Sequence, residues 1–241
     1  MKNYNYLIFD ADHTLYDYIA DELQAFRDLY AEISLPITDG LLAFSRRASE
    51  EVWTEAGLYD VHSPRIQAEY HRLYRSHVEG IFRRVFKKFP CAADPKKVGE
   101  RFLYYLSKQG RLYPQAKELL SALSKNQGGR YEIVIATNGL HFIQDGRLKE
   151  IKGLVKEVFI SENVGAIKPL PAFFERILSV LGAGAEECLM IGDSLSSDIA
   201  GAKSAGIDAC WYNPARKSAQ GKVLPDYQIS DLWELQKILK G

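Results

Sequence analysis

Five short apolar runs set the strongest limit on the fold: "YLIF" (Tyr6–Phe9), "IVIAT" (133–137), "VFIS" (158–161), "CLMIG" (Cys188–Gly192) and "ACWY" (209–212). Each is four or five residues long and almost continuously hydrophobic, the pattern of parallel strands covered on both faces. Between the later runs lie helical segments at about 115–126, 144–153, 171–181 and 197–205. Strand and helix alternating in this way imply an α/β sheet with right-handed crossovers. Residues 16–109 break the rhythm. They contain no strand pattern and read as four successive amphipathic helices: "DELQAFRDLYAEI", "DGLLAFSRRASEEVW", "SPRIQAEYHRLYRSHVEGIFRRVF" and "DPKKVGERFLYYL". Pro36, Pro64 and Pro95 fall near their starts or boundaries, where proline is tolerated. The expected architecture is a Rossmann-like parallel sheet core, residues 1–15 and 110–241, with an all-helical cap, residues 16–109, inserted after the first strand.

A first strand that reads as buried ends in two acids, in "IFDADHTL" (8–15). Ligands of open α/β sheets bind outside the carboxyl ends of the strands. Asp10 stands at such an end, and Asp12 can project to the same side if the backbone stays extended. Two adjacent carboxylates call for a cation, and all-oxygen ligation suits Mg²⁺ together with phosphate oxygens. A carboxylate can also attack phosphorus, and a second carboxyl can serve as general acid and base.

Three further strand ends carry chemistry. "ATNGL" offers the Thr137 hydroxyl and backbone N–H groups beside Asn138 and Gly139. "GAIKPL" places Lys168 before Pro169, which biases the lysine toward an extended backbone. "IGDSLSSD" supplies Asp193 and, at a helix start, Asp198. Singly, these read as a turn, a surface lysine, a turn acid and a helix-dipole acid. A carboxylate pair, hydroxyl, lysine and carboxylate at successive strand ends do not read as four independent accidents.

"FDADHTL", "TNG", "KP" and "GDSLSSD" resemble the four motifs of the haloacid dehalogenase (HAD) superfamily of phosphohydrolases, and the helical insertion is similar to that superfamily's small cap. The resemblance implies Asp10 as nucleophile and Asp12 as general acid/base. It implies Thr137, Asn138 and Lys168 around the phosphate, with Lys168 also neutralising Asp10. Mg²⁺ is implied on Asp10, Asp193 and the backbone carbonyl of Asp12, with Asp198 supporting from just outside. The acid at Asp12 favours phosphate esters over halides, since halide needs no protonation. Gly192 before Asp193 leans away from the phosphomutase branch, whose metal motif often carries a second acid there. "TNGL", "SENVGAIKP" and "ACWYNP" resemble a bacterial group of pyrimidine 5′-nucleotidases. A nucleoside 5′-monophosphate is the substrate this implies. The alternatives are a sugar-phosphate or phosphoglycolate phosphatase, a phosphomutase of the β-phosphoglucomutase type, or a non-catalytic binding protein.

Lys and Arg balance Asp and Glu at 31 each, which argues against nucleic-acid polymers or anionic membranes as partners. The three cysteines are widely spaced and form neither a disulfide framework nor a zinc motif, and no run is long enough to span a bilayer. A cytoplasmic enzyme is expected. Tyr16 and Trp53 are candidates to stack on a base, His13 to touch substrate, and the basic run 83–88 reads as a solvated helix face. The cap is expected to close over the site and exclude bulk water.

Overall fold

The computed structural model describes residues 3–218 and 223–240. Six parallel strands form one sheet: β1 (Tyr6–Phe9), β2 (Glu132–Thr137), β3 (Glu157–Ile160), β4 (Cys188–Gly192), β5 (Asp208–Tyr212) and β6 (Tyr227–Ile229), in the order β3-β2-β1-β4-β5-β6. The first five match the apolar runs to within a residue. β6 went unread because "YQI" is three residues at the sheet edge, only one of them buried.

Four long helices follow β1: α1 (Tyr18–Glu32), α2 (Asp39–Glu55), α3 (Pro64–Lys88) and α4 (Pro95–Leu106). α5 (Ala116–Leu123) leads into β2, and α6 (His141–Arg147) leaves it. α7 (Ser161–Val164) and α8 (Pro171–Leu181) join β3 to β4; α9 (Ala200–Ser204) precedes β5, and α10 (Leu235–Lys240) closes the chain. Between β4 and α9 the segment Leu195–Ile199 winds as a π-helical turn rather than the start of a regular helix.

The contacts divide into two compact units. One comprises Met1–Asp17, Leu112–Asn138 and Glu150–Gly241. In it the strands' alternate residues serve two faces. Ile8, Val134, Ala136, Met190, Ala209 and Trp211 share a core with Phe173, Phe174 and Ile177 of α8 and Ala202 of α9. α5 packs against β2 and presents its buried Leu119, Leu120 and Leu123.

The other unit comprises Tyr18–Arg111 and Gly139–Lys149. Its centre is aromatic: Phe26 stacks on Phe102 at 4.5 Å between ring centroids and meets Phe82 edge-on at 6.1 Å. Trp53 packs edge-on against Tyr59, Tyr70, Tyr74 and His77. α6 packs on α4, and a buried ion pair ties its last residue, Arg147, to Asp21 of α1 at 2.8 Å. The basic run 83–88 is engaged at the surface: Arg83 pairs with Glu79, Arg84 with Glu51 and Glu55, and the Lys88 ammonium lies over the Phe44 ring.

Among the described residues no helix is long and apolar enough to cross a membrane, and Cys91, Cys188 and Cys210 are free thiols.

Candidate active site

The sheet order reverses direction at β1. β2 and β3 lie on one side of it and β4, β5 and β6 on the other. Such a switch point opens a crevice at the carboxyl ends of the strands. Asp10 follows β1 and extends the ladder by one bond, its N–H donating to Ile191 O at 2.8 Å. Thr137 closes β2 and is buried; Asp193 follows β4 and is half-buried.

Asp12 forms an isolated bridge with Tyr16, and the backbone turns over residues 13–15. Leu15 N and Tyr16 N both donate to Ala11 O at 2.9 Å, and His13 N donates to Tyr16 O at 2.9 Å. His13 takes a left-handed φ of 65° to complete this turn. The buried Thr14 hydroxyl reaches Asp10 Oδ2 at 3.4 Å. Tyr16 is itself buried and bridges to Leu112, while Trp53 is half-buried and packs edge-on in its aromatic cluster.

Lys168 is the centre of the site. Its ammonium donates to Asp10 Oδ1 at 2.6 Å and to Ala136 O at 2.7 Å, and lies 2.7 Å from Asp198 Oδ1. Two hydrogen bonds and an ion pair thus hold the ammonium, with the side chain only 2% exposed. Asn138 fixes the lysine from behind: Lys168 N donates to Asn138 Oδ1 at 2.8 Å, and Asn138 Nδ2 donates to Lys168 O at 3.0 Å. The Asn138 side-chain amide is therefore used on the protein's own backbone. The Lys168–Pro169 peptide is cis.

Asp198 is reached through the π-helical turn. Ser194 Oγ accepts from Ser197 N at 3.2 Å, and Asp198 Oδ2 accepts from Ser194 N at 3.1 Å. This close return is possible only over a glycine, because a Cβ on Gly192 would stand 2.3 Å from Asp198 Oδ2. On the far side, the Trp211 indole donates to the Asp193 carbonyl at 2.8 Å.

Candidate ligand oxygens of Asp10, Asp193 and Asp198 all lie within 4.8 Å of one another. Burial raises the Asp10 pKa well above its usual range; Lys168 opposes the shift, and Asp198 and Asp193 add to it. Burial and the charge of Asp198 push Asp193 up to about 7. Burial works against the Lys168 charge, but Asp10 and Asp198 outweigh it and raise its pKa. One ammonium among three carboxylates leaves an excess of negative charge that suits a hard divalent cation with oxygen ligands. With Lys168 and Ser194 N occupying Asp198, the oxygens best placed to bind such an ion belong to Asp10 and Asp193. Asp12 stands outside this carboxylate cluster.

Of the residues singled out in the sequence, Asp10, Lys168, Asp193 and Asp198 meet directly, and Thr137 and Asn138 belong to the adjoining strand end. The direct pairing of Asp198 with Lys168 and the parts played by Trp211 and Asn138 toward backbone were not legible in the motifs.

A model of haloacid dehalogenase-like hydrolases matches residues 4–206. The chain belongs to the HAD-like hydrolase family. Its HAD relatives include the pyrimidine 5′-nucleotidase PynA of Streptococcus pneumoniae, 33% identical over 96% of this chain and 93% of that protein. The pyrimidine 5′-nucleotidase YjjG of Escherichia coli is 26% identical over 98% of each chain. The crystal structure of the HAD-hydrolase YfnB from Bacillus subtilis, bound to magnesium, superposes with a TM-score of 0.82 at 29% identity, covering 100% of both chains. The HAD assignment agrees with the sheet order and with the strand ends on which the acids and the lysine stand.

Proposed function

We propose that this HAD-family phosphatase hydrolyses nucleoside 5′-monophosphates, with pyrimidine nucleotides preferred, in the cytoplasm. The observation that carries the chemistry is the buried contact between Lys168 and Asp10 at 2.6 Å beside Asp193. The substrate class is supported by likeness to PynA and YjjG over nearly the whole chain.

In this reading Thr137 and nearby backbone N–H groups hold the phosphate oxygens, and Lys168 offsets the charge of Asp10 so that two anions can approach. A carboxylate oxygen of Asp10 forms a bond to phosphorus as the bond from phosphorus to the 5′-oxygen breaks. Asp12 gives its proton to that leaving oxygen, which departs as the nucleoside hydroxyl. Asp12, now ionised, takes a proton from water as the water oxygen attacks phosphorus. Inorganic phosphate leaves and the Asp10 carboxylate is restored. Mg²⁺, held by Asp10, Asp193 and the Asp12 backbone carbonyl, would supply charge neutralisation at the phosphate. Asp12 is not part of the cluster formed by Asp10, Asp193 and Asp198, so the acids sit in different surroundings, as different roles require.

The test is phosphate release over a panel of pyrimidine and purine 5′-monophosphates, sugar phosphates and 2-phosphoglycolate, with Mg²⁺ and with EDTA. Preference for pyrimidine monophosphates, lost in EDTA, is the expected result. Turnover mainly of sugar phosphates would remove the nucleotide assignment. Isomer formation without phosphate release would replace hydrolysis by a mutase reaction.

A further inference from the structure

We propose that Trp211 is a positioning residue for Asp193, setting the direction of that carboxylate and hence the affinity of the site for Mg²⁺. The inference rests on the metal reading given above.

The argument begins at the peptide group joining Asp193 to Ser194. β4 and β5 pair in register as far as Gly192 and Trp211, so Asp193 is the first residue beyond the ladder. A carbonyl just past a strand end in a buried setting needs another donor. The Trp211 indole N–H supplies it at 2.8 Å. The N–H of the same peptide group belongs to Ser194 and donates to Asp198 Oδ2 at 3.1 Å. Both poles of one peptide plane are therefore held by side chains. Fixing that plane restricts ψ of Asp193, and with it the path on which the Asp193 side chain leaves the backbone.

The clamp is stiff on both sides. The Trp211 ring is 4% exposed and packs in the core shared by Ile8, Met190 and Ile199, so it has no room to swing. Asp198 is buried, and its other oxygen lies against Lys168 at 2.7 Å. Lys168 in turn holds Asp10. The chain of contacts from Trp211 through the 193–194 peptide to Asp198, Lys168 and Asp10 fixes two of the acids to which Mg²⁺ is assigned. An indole suits the position because it donates without bringing a charge toward the carboxylates. Phenylalanine would fill much of the same space and donate nothing.

The experiment is Mg²⁺ binding by titration calorimetry to the wild-type protein and to Trp211→Phe, with no substrate present. Wild type is expected to bind one Mg²⁺, and Trp211→Phe to bind it about tenfold more weakly, as loss of a partner behind a metal ligand does. The Mg²⁺ concentration for half-maximal phosphatase activity should rise in parallel, while KM for the ester at saturating Mg²⁺ stays near wild type. Equal Mg²⁺ affinity in a folded Trp211→Phe overturns the proposal. A wild-type protein that binds no Mg²⁺ removes the metal reading itself and this inference with it, so the two failures are distinct. If Trp211→Phe does not fold, the wild-type indole N–H resonances decide. On addition of Mg²⁺ the Trp211 resonance should shift, with Trp53 and Trp233 as internal controls. A Trp211 resonance that does not respond overturns the proposal.

Discussion

Lys168 and Asp10 form a buried ion pair at 2.6 Å between residues 158 positions apart in the sequence. A lysine this deeply buried stays charged only because Asp10 and Asp198 surround it. Its removal would leave two carboxylates buried against each other. Lys168→Met is expected to lower kcat/KM by at least about a hundredfold and to cost about 3–5 kcal/mol of stability. Steady-state kinetics and thermal melts check both. Lys168→Arg should not restore activity, since a planar fork does not match three oxygens around one nitrogen.

Gly192→Ala tests the close return of Asp198. The added Cβ would stand 2.3 Å from Asp198 Oδ2 and 2.5 Å from its Cγ. Asp198 must shift, and both the Lys168 contact and the Ser194 N–H bond shift with it. The expected effect is a loss of about 1–3 kcal/mol and a larger proportional loss of activity than an ordinary surface substitution gives. Wild-type activity and stability in Gly192→Ala would show that the turn is more adaptable than its geometry suggests.

Much of this organisation could be read before any coordinates. The five central strands are buried on both faces, so their sequences are apolar without interruption and announce themselves. The helices 18–32, 39–55, 64–88 and 95–106 carry clear amphipathic periods, and Pro64 and Pro95 mark two of their starts. α6 was less legible. It begins at His141 after Leu140, which gives no capping side chain, and by 148–154 it has become a 3₁₀ segment. The acids and the lysine stood out only as a set at successive strand ends, since each alone reads as an ordinary turn, surface or helix-start residue. Trp211 did not, because a tryptophan in an apolar strand reads as core, and its single N–H finds its partner only in three dimensions. The same holds for Arg147 and Asp21, 126 residues apart and invisible as a pair in the sequence.

That pair makes its own prediction. Arg147 and Asp21 meet at 2.8 Å with both side chains almost fully buried, and Asp21 Oδ1 also accepts from Arg111 N at 2.9 Å. Arg147→Ala should cost about 3–5 kcal/mol, because it strands a buried carboxylate. In a double-mutant cycle, adding Asp21→Asn should recover part of that loss, since the residual group is then neutral. Denaturant titration of the four proteins measures the coupling, and strict additivity would deny it.

Two buried groups of the helical unit give opposite pH dependences. Burial raises Glu22 from 4.5 to about 7, even though Ser49 and Arg46 favour its ionised form. The folded state then holds a proton that the unfolded state has lost, so this contribution is complete below pH 4.5 and fades as pH rises through 7. It is worth roughly 3 kcal/mol. Burial lowers His77 from 6.5 to about 4, against the hydrogen bond of its Nδ1 with Tyr74 O. The folded state resists a proton that the unfolded state takes, so this contribution grows as pH rises from 4 to 6.5. The two largely offset each other in wild type between pH 4.5 and 6.5. Glu22→Gln should uncover the His77 slope, with stability rising over that range relative to wild type. Thermal melts from pH 4 to 8 read it, and parallel curves for the two proteins would contradict the assignment.

The central claim is that Asp10 carries the phosphoryl group. The most direct measurement is to mix enzyme, Mg²⁺ and a pyrimidine nucleoside 5′-monophosphate, quench during turnover, reduce with borohydride and map the peptides by mass spectrometry. An acyl phosphate on Asp10 would be reduced to homoserine at position 10, and Asp10→Asn would show neither the product nor turnover. Phosphate release at the wild-type rate from Asp10→Asn, or steady turnover with position 10 always recovered as aspartate, would contradict the account.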